Sequence, residues 1–348
     1  MKNILMVTTL LSASLVLATT TQAKEFSDYT FEAGHASLQD WLMPAVPTPP
    51  DNAVNPARVE LGKKLFFDPR LSGDSNMSCA TCHNPLFGWS DGLPTAKGFK
   101  SKVLGRASPT VVNAAYNTLQ MWDGRKKSLE DQAMGPMMSN DEMNMNIPQL
   151  IKSLQNNPVY KADFAAAYPG EPVNEITVAK ALSSFERTVI SNNSPFDRWV
   201  KGEAKALTAQ QVNGFKIFVN PDKGNCAVCH SAPNFSDSGF HNIGLASFGH
   251  ENPDVGRYAE KPLAVMKGAF KTPTLREISR TAPYFHDGSA TTLEQVTEHY
   301  VRGGEVTTNL APNMKKLNLN AQEQADLVAF LHALNTQPQP FVLPELPL

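Results

Sequence analysis

Apolar residues recur at helical spacing in several separate stretches, and strand-like alternation is scarce. In 174–192, Val178, Leu182, Phe185 and Val189 fall along one face, which predicts a helix with a buried stripe. In 320–334, Leu327, Leu331 and Leu334 form a second stripe, and Asn320 with Glu323 predicts its capped start. His332 lies beside that stripe and is read as a surface or packing residue. Two further stretches echo each other: Leu61-Gly62-Lys63-Lys64-Leu65-Phe66-Phe67-Asp68-Pro69, and Gly214-Phe215-Lys216-Ile217-Phe218-Val219-Asn220-Pro221. Glycine, a basic residue, an aliphatic, phenylalanine and proline return in the same order, which implies an internal duplication. Both stretches are read as helices that stop before a proline, whose ring cannot extend them. Thr208 and Gln211 fit a capping box at the start of the second.

The intervening pattern divides the chain. Residues 24–53 are rich in proline and short apolar groups and are read as an irregular arm. The periodicity breaks at Ser191–Pro195, so the boundary is placed to give units 24–192 and 193–348. Residues 231–291 are long, rich in Gly and Pro, and weakly periodic, as functional loops often are. The first 23 residues are set aside: Lys2, an apolar run from Ile4 to Ala18, and the small-residue end Thr21-Gln22-Ala23 predict an export signal cleaved near Ala23. That run is short for a membrane span. The formal net charge of -2 and the lack of a basic block argue against a nucleic-acid partner.

The chain has four cysteines, and all lie in two copies of one pentad: Cys79-Ala80-Thr81-Cys82-His83 and Cys226-Ala227-Val228-Cys229-His230. C-x-x-C-H reads as covalent attachment of a c-type haem, the thiols forming thioethers and the imidazole supplying the proximal iron ligand. One zinc shared by both pairs, redox dithiols or disulfides are the competing readings, but none of them uses both histidines. The fold class expected is therefore mostly α, two cytochrome c-like domains, each carrying one covalently bound haem c. The mature protein is expected to be soluble, periplasmic and active in redox chemistry.

Trp122-Asp123-Gly124-Arg125, Leu129-Glu130-Asp131-Gln132, Pro136 and Glu142-Met143 resemble the active-site segment of bacterial di-haem cytochrome c peroxidases. Phe270-Lys271-Thr272-Pro273-Thr274-Leu275-Arg276 and Thr281-Ala282-Pro283-Tyr284-Phe285-His286-Asp287-Gly288 resemble further signatures of that family. The resemblance implies that the N-terminal haem is the peroxide site with His83 as its proximal ligand, and that His230 ligates the C-terminal haem. It implies Glu142 and Gln132 as the distal polar pair, with Pro136 keeping the pocket narrow and Trp122 carrying electrons between the haems. The residue types suit the chemistry. A carboxylate over the iron moves a proton between the peroxide oxygens, and an amide orients peroxide without adding charge.

Two positions depart from the ordinary peroxidases and resemble the family's MauG branch, which oxidises tryptophans of a partner protein. Many family members block the peroxide site with a histidine in the loop after the first pentad; here that position falls at about Phe99, and 84–229 contains no histidine. A five-coordinate, high-spin first haem is expected. At the second haem, the methionine of ordinary peroxidases is replaced by Tyr300, with His299, Met266 and Met314 as alternative ligands. The family also holds calcium through backbone carbonyls that match Thr281 and Pro283; its asparagine aligns with Ala107, so calcium stays optional here. The expected activity is reduction of hydrogen peroxide with electrons from a small redox protein such as a cytochrome c or a cupredoxin. A MauG-type oxidation of a protein substrate and a plain di-haem electron carrier are the alternatives. A homodimer is compatible with all three.

Overall fold

The computed structural model describes residues 24–347. The predicted export signal lies outside them. Ten α-helices are found among the described residues: α1 Pro56–Phe67, α2 Cys79–Cys82, α3 Leu129–Met138, α4 Ile147–Asn156, α5 Pro158–Ala167, α6 Glu175–Glu186, α7 Pro195–Val200, α8 Ala209–Val219, α9 Leu293–Arg302 and α10 Ala321–His332. The other described residues are loop and 3-10 turn, apart from one two-residue antiparallel pair, β1 Phe240–His241 with β2 Phe270–Lys271, and isolated bridges. None of these helices is long and apolar enough to cross a membrane.

Two hydrophobic cores organise the molecule. In each, the helix leading a pentad crosses a later helix at a glycine. A Cβ on Gly62 of α1 would lie 1.9 Å from the Ala181 carbonyl oxygen of α6, and one on Gly214 of α8 would lie 2.0 Å from the Asp326 carbonyl oxygen of α10. Phe185 and Phe330 pack beside the two crossings in the same way. The duplicated sequence pattern thus encodes a duplicated helix crossing. Both leading helices end before their proline, and the Thr208–Gln211 and Asn320–Glu323 caps form.

The expected helix over 174–192 ends at Glu186. Val189 is still buried, but its backbone closes a turn onto Glu186 and accepts the Asn113 amide, which takes it out of the helix. His332 is exposed. The arm is more ordered than its composition suggested. It contains 3-10 turns at Phe26–Asp28 and Ala36–Trp41, and it packs on the C-terminal core. Trp41 is 1% exposed, with its ring 4.7 Å from Phe235 and 5.4 Å from Phe215. The tail makes the reverse journey: Phe341 packs on the N-terminal core.

One buried ion pair ties these parts together. Arg276 and Asp197 are both fully buried; the guanidinium donates to both carboxylate oxygens at 2.9 Å and to the carbonyls of Trp41 and Pro233. Satisfying almost every donor is what makes such a pair tolerable away from water.

Candidate functional site: two cavities that share a tryptophan

Each pentad lines its own cavity. The first, of about 420 Å³, brings Cys79, Cys82 and His83 together with Gln132, Pro136 and Glu142. The second, of about 190 Å³, brings Cys226, Cys229 and His230 together with Tyr300 and Met314. The pairs therefore cannot share one zinc ion. Burial pushes the Cys82 thiol up to about 11 and Cys226 to about 12, and raises Cys79 as well. Neutral thiols are poor zinc ligands and poor redox nucleophiles, and all four cysteines are unbridged.

The histidines are held alike. Nδ1 of His83 donates to the Trp89 carbonyl at 3.3 Å, and Nδ1 of His230 donates to the Phe235 carbonyl at 2.9 Å. Burial lowers the pKa of both rings, which favours the neutral imidazole that a metal needs. Both acceptor residues sit in the left-handed region, with φ of 64° at Trp89 and 53° at Phe235. The residues present fit covalently attached haem at both places: paired unbridged cysteines, an oriented imidazole and apolar side chains on the wall.

In the first cavity, Gln132 and Pro136 project from α3, whose N-terminus is capped by Ser128. Glu142 follows on the adjoining turn. Burial raises its carboxyl above the usual range, while Arg125 and a hydrogen bond from Ser139 pull the other way. No histidine but His83 lines this cavity among the described residues. Phe99 is not on its wall; the Phe99 amide donates to the Asp141 carbonyl, next to Glu142.

In the second cavity, the alternatives to Tyr300 separate. His299 has both ring nitrogens engaged at 2.9 Å, by Glu305 and by the Ile243 carbonyl. Met266 lies in a 3-10 turn outside the lining, whereas Met314 is on the wall with Tyr300. Burial raises the Tyr300 phenol strongly. Thr281 and Pro283 flank a cis peptide at Ala282–Pro283. The three-residue grouping of acidic, Cys and His side chains found among the described residues lies elsewhere, at Cys229, Asp237 and His241.

Trp122 lines both cavities. Its indole N–H donates to the Ala107 carbonyl at 2.9 Å, and its own carbonyl accepts the Lys271 amide at 2.8 Å, so it is fixed from both halves. Beside it, Asp123 is gripped by Arg106 and Arg125, and Arg106 reaches on to Asp254. Sequence reasoning did not single out Arg106, Asp254 or the buried Glu186 on the first cavity's wall. For Glu186 a signal existed: it falls on the buried face of α6, one residue after Phe185.

The sequence pattern of the di-haem cytochrome c peroxidase family matches residues 56–205, and that of cytochrome c matches residues 211–335. The methylamine utilization protein MauG of Methylorubrum extorquens is 44% identical over 306 residues, covering 87% of this chain and 85% of that protein. The chain belongs to the di-haem cytochrome c peroxidase family. Cytochrome c551 peroxidase of Pseudomonas aeruginosa is 38% identical over 84% of this chain and 83% of its own length. A solved MauG-like protein associated with microbial copper homeostasis has a TM-score of 0.79 at 29% identity, covering 84% of this chain and 93% of that one. As a family member this is a peroxidase-family oxidoreductase with two cytochrome c-type domains and two covalent haems c, as its pentads foretold.

Proposed function

We propose that this protein is a periplasmic peroxidase that reduces hydrogen peroxide to water at the first cavity, using electrons from a small redox protein. The carrying observation is the asymmetry of the two cavities: among the described residues, one has Glu142 and Gln132 on its wall with His83 as its one histidine, and the other has Tyr300 and Met314 on the wall with its pentad. Haem held there would supply the redox chemistry that breaks an O–O bond.

The chain's residues supply the rest. Cys79 and Cys82 attach the first haem, Cys226 and Cys229 the second, and His83 and His230 are the proximal ligands. The Glu142 carboxylate takes the proton from one peroxide oxygen and returns it to the other; burial raises its pKa, which makes it the stronger base for that exchange. The Gln132 amide orients the substrate, and Pro136 limits the space around it. Trp122 is the relay, because its indole borders both cavities. The Tyr300 oxygen closes the second cavity. Burial raises that phenol's pKa, and Tyr300 is the side chain that would hold the iron of a haem bound there. If calcium binds, the Thr281 and Pro283 carbonyls hold it, with water where Ala107 has no side-chain oxygen.

A second reading, MauG-type oxidation of a partner protein, draws support from Tyr300, from the lack of histidine in 84–229, and from the 44% identity to MauG. Steady-state turnover with peroxide and reduced cytochrome c, run beside turnover on candidate protein substrates, separates the two. Glu142→Gln should lower turnover with either reductant by about 10²–10⁴-fold. A loss below tenfold would remove Glu142 from the proton transfer. Peroxide left untouched by holoprotein would end both readings.

A further inference from the structure

The matched carbonyls that hold the two histidines are themselves held differently. Phe235 is fully buried, wedged among Trp41, Phe196, Phe218 and Phe330 of its own core. Trp89 is only half-buried. Phe66 and Phe185 contact its ring, with centroids 5.9 Å away in each case. Phe341 meets the same ring edge-on, at 5.2 Å and 88°. Phe341 comes from the irregular tail after α10, far along the chain, and also stacks on Phe67 at 5.3 Å beneath the Lys63 ammonium.

The tail is tethered on both sides of this ring. Before it, the Thr336 amide donates to Glu277 at 2.9 Å, and Arg280 donates to the Thr336 carbonyl; after it, Arg70 donates to the Pro347 carbonyl. Val342 and Leu343 beside it are 74% and 66% exposed, so Phe341 is the tail's apolar anchor. A bulky residue at positive φ persists only where its surroundings enforce it. At Trp89, part of that enforcement arrives from the tail.

We infer that the C-terminal tail is a proximal strap for the first haem site, and that Phe341 is a positioning residue: it pins Trp89, whose carbonyl fixes the His83 imidazole through Nδ1–H. This rests on the reading of His83 as the proximal ligand. A carbonyl that accepts from Nδ1 makes the imidazole a stronger donor, which favours the oxidised iron. Loosening Trp89 should weaken that donation at the first haem and leave the second untouched.

The test uses full-length holoprotein carrying Phe341→Ala, with Phe341→Tyr as the conservative variant. The iron–imidazole stretch of the reduced first haem is read by resonance Raman, and both haem potentials are read by titration. F341A should lower the stretch frequency and shift the first haem's potential upward, with the second haem at its parent value and F341Y restoring both. If F341A fails to accumulate, Phe341→Leu keeps an apolar anchor without the ring and should read the same shift. A lowered melting temperature with stretch and potential unchanged would make Phe341 merely structural and overturn the strap. Parent protein lacking any iron–imidazole stretch at the first haem would instead overturn the His83 assignment, and the strap with it.

Discussion

Replacing Gly62 by alanine puts a methyl group where the structure has a carbonyl oxygen. The new Cβ would lie 1.9 Å from the Ala181 oxygen and 2.9 Å from the Phe185 Cβ. A relaxed C···O contact is about 3.3 Å, so α1 and α6 must part by about 1.4 Å at their crossing. Alanine in a helix gains about 1 kcal/mol over glycine, and overpacking a close contact costs about 1–3 kcal/mol. The obstacle is backbone, which cannot swing aside, so the cost should fall at the upper end and leave a net loss of about 2 kcal/mol. Gly214→Ala should behave alike, because its Cβ would meet the Asp326 oxygen at 2.0 Å. Gly135 is the control: a Cβ there meets just the flexible end of Lys126, at 3.3 Å, and the change should stay within about 1 kcal/mol of the parent. Thermal unfolding of the holoproteins by circular dichroism compares all three. A higher melting temperature for G62A, as an exposed helical glycine would give, would refute the close crossing as the reason for glycine.

Tyr300→Phe should alter the low-spin haem spectrum, because it removes the phenol oxygen from the second cavity; an unchanged spectrum would transfer the role to Met314. Arg276→Met should cost about 3–5 kcal/mol by stranding the buried Asp197 carboxylate. A loss under about 1 kcal/mol in denaturant titration would contradict that estimate of the pair. Burial pushes the Glu186 carboxyl up to about 8 from 4.5, so between those values the folded chain keeps a proton that the unfolded chain releases. Its contribution to stability is full below about pH 4.5 and fades as pH rises to about 8, up to a ceiling of about 5 kcal/mol. Glu186→Gln should flatten that slope in melting temperatures taken across the window; a slope equal to the parent's would sink the assignment.

The chemistry was legible because it is local. Each pentad places two sulfurs and an imidazole within five residues, and the helix stripes and caps follow from short-range spacing. The crossings were half legible: Gly62 and Gly214 stood out as a repeat, but nothing in their own stretches named Ala181 or Asp326 as what they face. Helix α6 stops before Val189 because Asn113 claims the Val189 carbonyl, a contact across 76 residues of chain. The arm was read from its prolines as irregular, which missed that Trp41 has a socket among Phe196, Phe215 and Phe235. The restraint on His83 was hidden for the same reason, since Trp89 and Phe341 meet only when the chain is complete. Of the alternatives to Tyr300 at the second cavity, the sequence leaves His299 open, and only the fold shows both of its ring nitrogens engaged by Glu305 and the Ile243 carbonyl.

The exchanged ends of the chain have a consequence for the independence of its halves. Trp41 of the arm needs Phe196, Phe215 and Phe235, which lie more than 150 residues further along the chain, and Phe341 of the tail fastens onto Phe67 and Trp89, far earlier in it. Neither Trp41 nor Phe341 finds its pocket within its own half. Severing the chain between its halves should therefore yield two sticky fragments rather than two working cytochromes.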